Sequence, residues 1–258
     1  MNEGLRPSGI AVGAALVFSM KQKRISLGRR LGAIAAEVRE GVVLYDVGTD
    51  HAYLPVFLLG TGRISCAVAS DVVPGPLARA AETVKRAGMT EQITLHLADG
   101  LQGIALTRPC DITMAGMGGE LIASILEAAP QVRAEGVRLI LQPMTKPENL
   151  RRYLAAHGFA VEREKVVEEG KLYEIMVCHY DGIPYPLSEE EALLGRYCMR
   201  CEDDAFVALL SRKREVLRRK ADGQRQGGET DPALLALLET LDTLAARLIS
   251  SEAKGKIL

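Results

Sequence analysis

The sequence predicts an α/β fold: a Rossmann-like, mostly parallel sheet followed by a helical C-terminal domain. Short apolar, β-branched runs alternate with amphipathic segments, which indicates parallel strands joined by right-handed helical crossovers. Two strand-like runs then follow one another with no room for a helix between them, which predicts an antiparallel hairpin. From Ser188 to the end no strand pattern remains.

Each element has its own local pattern. Apolar and β-branched runs predict five parallel strands at 42–47, 64–69, 93–97, 111–115 and 137–141. Helical periodicity, with glycines after several of the segments, predicts helices at 25–38, 74–87, 119–129 and 147–157, and 52–59 is a compact apolar segment. The hairpin is predicted at 159–167 and 172–180. Five parallel βα units closed by a hairpin differ from a dehydrogenase sheet, which would continue with another crossover.

The C-terminal part is predicted to be a helical hairpin or short coiled coil. Ser188 and Glu191 have the spacing of a capping box, which predicts a long helix to about Lys220. A polar, glycine-containing break at 223–230 precedes a leucine-rich helix that begins at Asp231-Pro232. We therefore expect a Rossmann-like domain over 21–186 and a helical domain over 187–258.

The composition restricts the class of protein. A chain of 258 residues, 48% hydrophobic and 25% charged, can bury one large core or one core with an accessory domain. The net charge of −1 gives no global sign of a nucleic-acid partner, so local basic patches would have to bind one. An odd number of cysteines (five) without a clear secretion signal predicts a reducing, cytoplasmic location. Cys198-x-x-Cys201 has metal-like spacing, but no second pair lies nearby, so no metal site is expected.

The first twenty residues do not resemble a membrane or export signal. The apolar run at 10–18 is too short for a bilayer, and a basic segment follows it where a cleavage site would be expected. Residues 1–20 are interpreted as a disordered leader, or as a spurious extension with Met20 as the true first residue. No membrane association is expected.

The loop after the first predicted strand indicates the type of ligand. Ligands of doubly wound sheets bind beyond the carboxyl ends of the strands, and Gly48, two residues after Asp46, lets the backbone approach one closely. A pyrophosphate site would need G-x-G-x-x-G, but Asp50 stands at the second glycine position. A carboxylate there repels pyrophosphate and suits a sulfonium and an ammonium group. Charge therefore favours S-adenosylmethionine over NAD.

Two more acids follow the next predicted strands. Asp71 can accept both ribose hydroxyls, and Asp99, followed by Gly100, can accept from an adenine amino group. Any one of these acids could instead form a turn or a helix cap. Together with Asp46 they stand at three successive strand ends, where one ligand can bridge them.

The fourth and fifth strands end in a glycine-rich loop, 116–119, and in Gln142-Pro143. The glycines allow a substrate or cofactor to approach closely. Gln142 can offer a donor and an acceptor to a base edge. Alternatively, it is a buried amide that ties two loops together.

Three motifs in this order resemble the bacterial tRNA adenine-22 N1-methyltransferase family. They are Asp-Val-Gly-Thr-Asp-His-Ala-Tyr-Leu-Pro at 46–55, Ala-Gly-Met-Gly-Gly at 115–119 and Leu-Gln-Pro at 141–143. The resemblance covers about 26–180 and implies a class I, S-adenosylmethionine-dependent methyltransferase with a coiled-coil C-terminal domain. It implies methylation of N1 of an adenine in tRNA. Two departures are Gly28, where a Ser or other polar residue is more usual, and C-terminal helices that match only loosely.

The resemblance also assigns residues to the site. The cofactor residues would be Arg30, Asp46, Gly48, Asp50, His51, Asp71, Asp99, Gly100, Gly116 and Met117. The catalytic residues would be Asp50, His51, Gln142 and Pro143. In this scheme Arg30 faces the cofactor carboxylate, Gly116 and Met117 border the methyl-transfer cleft, and Gln142 and Pro143 lie on the target-base side.

The expected chemistry fits these residue types. The N1 lone pair lies in the ring plane and can attack a methyl carbon directly, so the Asn/Asp-Pro-Pro-Tyr loop used for exocyclic amines is not required, and the sequence has none. The enzyme must unstack the base, hold N1 in line and exclude water. Asp50 or His51 is the hypothesised acceptor of a proton from the cationic product.

Two basic clusters are candidates for binding RNA phosphates. They contain Lys21, Lys23, Arg24 and Arg29 in the first cluster and Arg212, Lys213, Arg214, Arg218, Arg219 and Lys220 in the second. Alternatively, the second cluster is simply the solvated face of a helix. Two other functions stay open: a methyltransferase for a small molecule or a protein, and a non-catalytic cofactor-binding scaffold. The chain is expected to be a monomer or a weak dimer.

Overall fold

The computed structural model describes residues 25–201, 203–229 and 231–255. The predicted leader, with Lys21, Lys23 and Arg24, lies outside the described residues. Within these ranges no helix is long and apolar enough to cross a membrane. In the same ranges no three His, Cys, Asp or Glu side chains are grouped so that they could hold a metal ion.

The core of the molecule is a seven-stranded sheet with the order β3-β2-β1-β4-β5-β7-β6. The strands are β1 (Val43–Val47), β2 (Ala67–Asp71), β3 (Ile93–Leu97), β4 (Cys110–Met117), β5 (Val137–Pro143), β6 (Phe159–Glu168) and β7 (Leu172–Tyr180). Strands β1 to β5 are parallel, and β7 pairs antiparallel with both β5 and β6. The predicted parallel sheet and its closing hairpin are confirmed.

Helices cover both faces of this sheet. They are α1 (Arg29–Glu37), α2 (Tyr53–Gly60), α3 (Pro74–Arg86), α4 (Gly119–Ala128) and α5 (Pro147–Ala156). One buried apolar cluster lies between the sheet and α1, α2 and α3, and a second lies under α4 and α5. The described residues between β3 and β4 form turns and no helix.

Two strands run further than the sequence pattern suggested. Strand β4 continues through Gly116 to Met117, and β5 continues to Pro143, because Met117 and Pro143 still pair across the two strands. The glycine-rich loop and Gln142 are therefore partly built on the sheet itself.

The C-terminal part contains α6 (Glu189–Leu194), α7 (Cys198–Cys201), α8 (Asp204–Gln226) and α9 (Pro232–Gly255). The capping box of Ser188 and Glu191 is confirmed. The single helix predicted from 188 to about 220 is wrong. Gly195 ends α6 with a φ of +86°, in the region that favours glycine, and the Asp203 carboxylate begins α8 by accepting from Phe206 N at 2.8 Å.

The C-terminal helices pack on the hairpin of the sheet. A third apolar cluster joins Phe206 and Leu210 of α8 and Leu241 of α9 to Val166 and Leu172 of the hairpin. Helices α8 and α9 are thus attached to one end of the seven-stranded sheet.

Candidate active site at the carboxyl edge of the sheet

The loop after β1 turns sharply against the end of β4. Gly48 has a φ of +77°, and its N–H and that of Thr49 donate to Ser70 O at 2.8 and 2.9 Å. A Cβ at position 48 would lie 2.6 Å from Cε of Met117. The positive φ favours glycine here, and the absence of a Cβ leaves the space into which the end of the Met117 side chain reaches.

Asp46 lies buried at the end of β1. Its Oδ1 accepts from Thr113 Oγ1 at 2.7 Å, because the two residues are register partners on adjacent strands. Burial raises the pKa of the Asp46 carboxyl group, and hydrogen bonds from Thr113 and Thr49 oppose that rise. Asp46 is thus a largely desolvated acceptor, held in place by a threonine that the sequence reading missed. In this type of sheet β1 and β4 are neighbours, so a polar residue of β4 beside Asp46 could have been predicted from the sequence.

Asp50 and His51 lie at the solvent rim of this edge. Arg79 of α3 pairs with Asp50, with Nε 3.2 Å from Oδ1. Nε2 of His51 lies 3.4 Å from Oδ2 of Asp50, and the His51 ring stacks on Tyr53 with centroids 4.9 Å apart. The structure therefore brings the two hypothesised proton acceptors together, with a cation that no sequence motif indicated.

Asp71 and Asp99 close the neighbouring strand ends. Oδ1 of Asp71 accepts from Val73 N at 2.7 Å, and Oδ2 of Asp99 accepts from Gln102 Nε2 at 3.4 Å. Within the described part of the chain, the other oxygen of each carboxylate has no hydrogen-bond partner. A cavity of about 260 Å³ lies beside Asp99, against α4. Both acids form local turn contacts and still offer an acceptor to a ligand.

Exposed apolar side chains accompany these acids. Most of the large apolar side chains that are exposed in the described ranges lie at or just after the carboxyl ends of the parallel strands: Tyr53, Val72, Val73, Leu97, Leu121 and Met144. Such a concentration is typical of a ligand-binding surface.

The β5 side of the edge is organised around Gln142. Its fully buried amide accepts from Arg30 Nη1 at 2.7 Å and donates to Pro143 O at 2.9 Å. The Arg30 guanidinium also lies 5.5 Å from the centroid of the Tyr173 ring. This is the arrangement of the alternative interpretation, an amide that ties two segments together. Contact between Gln142 and a base stays a prediction.

The ends of β4 and β5 are joined beyond the last paired residues of the sheet. Met144 N donates to Met117 O, and Gly119 N donates to Thr145 O, both at 2.8 Å. Gly116 has a φ of +85°, and a Cβ there would meet no atom within 4 Å. Space is thus open beside Gly116, at the centre of the edge.

The residues at this edge fit S-adenosylmethionine. Several carboxylates lie at this edge, which are the acceptors that a sulfonium, an ammonium group, a ribose diol and an adenine amino group need, and exposed apolar side chains lie at the same edge. Asp50 in place of a glycine disfavours a pyrophosphate.

The basic cluster of α8 is mostly paired within the chain. Nζ of Lys213 lies 3.4 Å from Glu174 and 3.7 Å from Glu148, and Arg214 and Arg218 both donate to Asp242 at 2.7 Å. The remaining members are Arg219, which pairs with Glu215, and Arg212 and Lys220, which are exposed and have no ion pair in the described residues. Helix α5 begins at the carboxyl edge and carries Glu148 in its first turn. Because Lys213 of α8 contacts Glu148, α8 lies beside that edge.

Comparison with known proteins gives the same assignment. The TrmK family model, described as tRNA (adenine(22)-N(1))-methyltransferase, matches residues 44–225. The tRNA (adenine(22)-N(1))-methyltransferase of Bacillus subtilis (strain 168) is 37% identical over 167 residues, which cover 62% of this chain and 70% of that protein.

Two solved structures extend the similarity to the whole fold. A Streptococcus pneumoniae protein in complex with S-adenosyl-L-methionine is 33% identical, with a TM-score of 0.75, over 85% of this chain and 100% of that one. The B. subtilis M1A22 tRNA methyltransferase is 29% identical, with a TM-score of 0.71, over 88% of this chain and 98% of that one. The family that the three sequence motifs resembled is confirmed. The chain belongs to the tRNA (adenine(22)-N(1))-methyltransferase family.

Proposed function

We propose that the chain transfers a methyl group from S-adenosylmethionine to N1 of adenine 22 in tRNA, at the carboxyl edge of its sheet. Membership of the family supports the proposed reaction. The proposed location of the active site is supported by one observation: three acids, Asp46, Asp71 and Asp99, lie at successive strand ends among exposed apolar side chains. Since tRNA is the substrate, we propose the cytoplasm as the place of action.

The cofactor residues divide by chemistry. When bound, S-adenosylmethionine supplies an electrophilic methyl carbon on a sulfonium. Asp46 and Asp50 provide negative charge near its positively charged part, Asp71 accepts from the ribose, and Asp99 accepts from the adenine. Arg30 uses only Nη1 in its hydrogen bond to Gln142, so within the described contacts its other N–H groups are available for the carboxylate.

The target base enters from the β5 side. The chain's part in the reaction is to hold the unstacked adenine in line and to exclude water. Pro143 and Met144 provide apolar contact, and the amide of Gln142 keeps Arg30 and Pro143 in a fixed arrangement. Asp50 or His51, whose side chains lie 3.4 Å apart at the rim, would accept a proton from the exocyclic amine of the cationic product.

The reaction is tested with labelled S-adenosylmethionine and an unmodified tRNA transcript. We expect label in 1-methyladenosine at position 22, and no label in a matched transcript with guanine at that position. Equal labelling of both transcripts would contradict the choice of nucleotide. Labelling of protein or small molecules instead would support the second function left open by the sequence, and cofactor binding without turnover would support a scaffold.

The RNA footprint is tested at the unpaired residues of α8. Reversing the charge at Arg212 and Lys220 together is expected to raise the KM for tRNA about tenfold. It is also expected to reduce the slope of log Kd against log salt concentration by about two, because two phosphate contacts are lost. Changing these two residues breaks no described ion pair, so we expect the fold to be preserved. Lys85→Glu with Arg86→Glu makes the same charge change at the far end of α3, near the amino edge of the sheet, and is the matched control. Equal KM values for the two double variants would remove α8 from the footprint.

A further inference from the structure

Helix α1 is capped by a residue from the hairpin, 140 positions away. The Glu169 carboxylate accepts from Arg29 N at 2.9 Å and from Arg30 N at 3.1 Å. The first amide groups of a helix have no partner inside the helix, and they favour a negative charge. Glu169 lies in the turn between β6 and β7, so this contact ties that turn to the beginning of α1.

Gly28 is the residue that makes this contact sterically possible. It precedes α1 with φ −65° and ψ 171°, and it forms no side-chain cap of its own. A Cβ at this position would lie 2.2 Å from Oε1 of Glu169. The carboxylate thus occupies the place of a capping side chain. This explains the departure at position 28, where the family resemblance implied Ser or another polar residue.

The residue held by this contact reaches the candidate active site. Arg30 is bound at its backbone N–H by Glu169, and its guanidinium donates to Gln142 and lies over Tyr173. Tyr173 belongs to β7, just after the turn that carries Glu169. One arginine is therefore fixed by the turn, by the end of β5 and by the start of β7 together.

We propose that Glu169 is a positioning residue for methyl transfer, acting through Arg30 and Gln142. By anchoring the backbone of Arg30 it sets the direction of the guanidinium, and with it the wall of the cleft on the β5 side. This inference rests on the proposed function, because the roles of Arg30 toward the cofactor and of the β5 side toward the base are assigned there.

A purely structural cap predicts a different result from a positioning contact. The contact is exposed, so its loss is expected to lower Tm by at most about 4 °C. Displacing Arg30, in contrast, changes the geometry at the reacting atoms, for which small shifts cost on the order of tenfold or more in rate. A serine introduced at position 28, as a replacement cap for α1, distinguishes the two roles. In the Gly28→Ser/Glu169→Ala double variant the serine can cap α1 locally, but the tie to the hairpin is lost.

The experiment compares four proteins: wild type, Glu169→Ala, Glu168→Ala and the Gly28→Ser/Glu169→Ala double variant. The Glu168→Ala change removes the same charge from the neighbouring exposed residue, whose side chain makes no hydrogen bond or ion pair in the described part of the chain, and is the matched control. Tm, the Kd for S-adenosylmethionine and the kcat for tRNA methylation are measured for each.

We expect Glu169→Ala to lower kcat about tenfold and to raise the Kd for S-adenosylmethionine about threefold, with Glu168→Ala equal to wild type. The double variant should recover the Tm of wild type but not its kcat or Kd. Recovery of all three would show that Glu169 only caps α1, and wild-type kcat and Kd in Glu169→Ala would also overturn the proposal. A wild type that binds S-adenosylmethionine without methylating tRNA would contradict the proposed function, while the Kd comparison would still test Glu169.

Discussion

Replacing Arg151 by Met is expected to lower the free energy of unfolding by about 3–5 kcal/mol. Arg151 of α5 is buried, and so are the two carboxylates that it binds, Glu164 of β6 and Glu174 of β7. Its Nε lies 2.6 Å from Glu164 and its Nη1 lies 2.8 Å from Glu174. Removing the guanidinium leaves the buried Glu164 carboxylate without a cation and leaves Glu174 with Lys213 alone, 3.4 Å away, so most of the desolvation of this cluster is no longer compensated.

The surroundings make this cluster hard to replace. Nη1 of Arg151 also donates to Ala192 O of α6 at 3.1 Å, and Glu164 accepts from Tyr197 N at 3.0 Å. Burial alone would lower the pKa of Arg151, but the attraction of Glu164 and Glu174 outweighs it and raises the pKa above its ordinary value. The arginine therefore stays charged, and the cluster connects the sheet to the first C-terminal helix.

Arg152→Met is the matched control, because Arg152 is the next residue of the same helix. Its ion pair with Glu189 is exposed on both sides, and such pairs contribute up to about 1 kcal/mol. Denaturant unfolding of both variants gives the comparison. Losses within about 1 kcal/mol of each other would show that the buried carboxylates are compensated by other groups.

Asp46→Asn is expected to stabilise the protein by about 0.5–2 kcal/mol at neutral pH and to weaken binding of S-adenosylmethionine about 100-fold. Because burial raises the pKa of Asp46, its ionised form is disfavoured in the folded state. The amide has nearly the same shape and still accepts from Thr113, but it carries no charge for the cofactor. The site would thus sacrifice stability for function at this position.

The pH dependence of that effect follows from linkage. A raised pKa in the folded state means that Asp46 favours folding at low pH and loses this contribution as the pH rises through the folded-state value. The advantage of Asn is therefore absent well below 3.8, the ordinary value of the carboxyl group, and grows as the pH rises above it. Tm values of the two proteins at about pH 4.5 and about pH 7.5 measure it.

Asp111→Asn is the contrasting control. Asp111 is also a buried aspartate of the sheet, but its carboxylate binds the Nε and the backbone N–H of Arg39 at 2.7 and 2.6 Å. The same substitution there removes the charge from a buried carboxylate that is paired with an arginine, and it should lower stability. Equal effects of the two substitutions would contradict the difference in environment on which the Asp46 prediction depends.

The features predicted from sequence are those with a local pattern. Strand and helix periodicity gave the sheet, and the capping box of Ser188 and Glu191 is confirmed. The strand-end acids Asp46, Asp71 and Asp99 could be found because topology alone brings strand ends to one edge. The sequence pattern does not indicate a helix end at Gly195, because apolar residues continue beyond it.

The missed features depend on side chains from distant parts of the chain. Arg79 reaches Asp50 from the second turn of α3, and Glu169 reaches α1 across 140 positions; neither has a local signal. The basic residues of α8 are a second example of contacts that the local sequence does not indicate. Their spacing predicted a positively charged face, but Lys213 and Arg214 are occupied by carboxylates of other elements.

The close approach of Gly28 to Glu169 also constrains the order in which the two positions can change during evolution. A side chain at position 28 cannot coexist with the carboxylate as it is placed here. A lineage with Ser at position 28 must therefore lose or displace the acid at 169, and a lineage that loses the acid first leaves α1 uncapped until the serine appears. Among relatives, we expect a polar residue at position 28 to be uncommon where position 169 carries a glutamate that caps α1. Aligned sequences at these two positions are enough to check this.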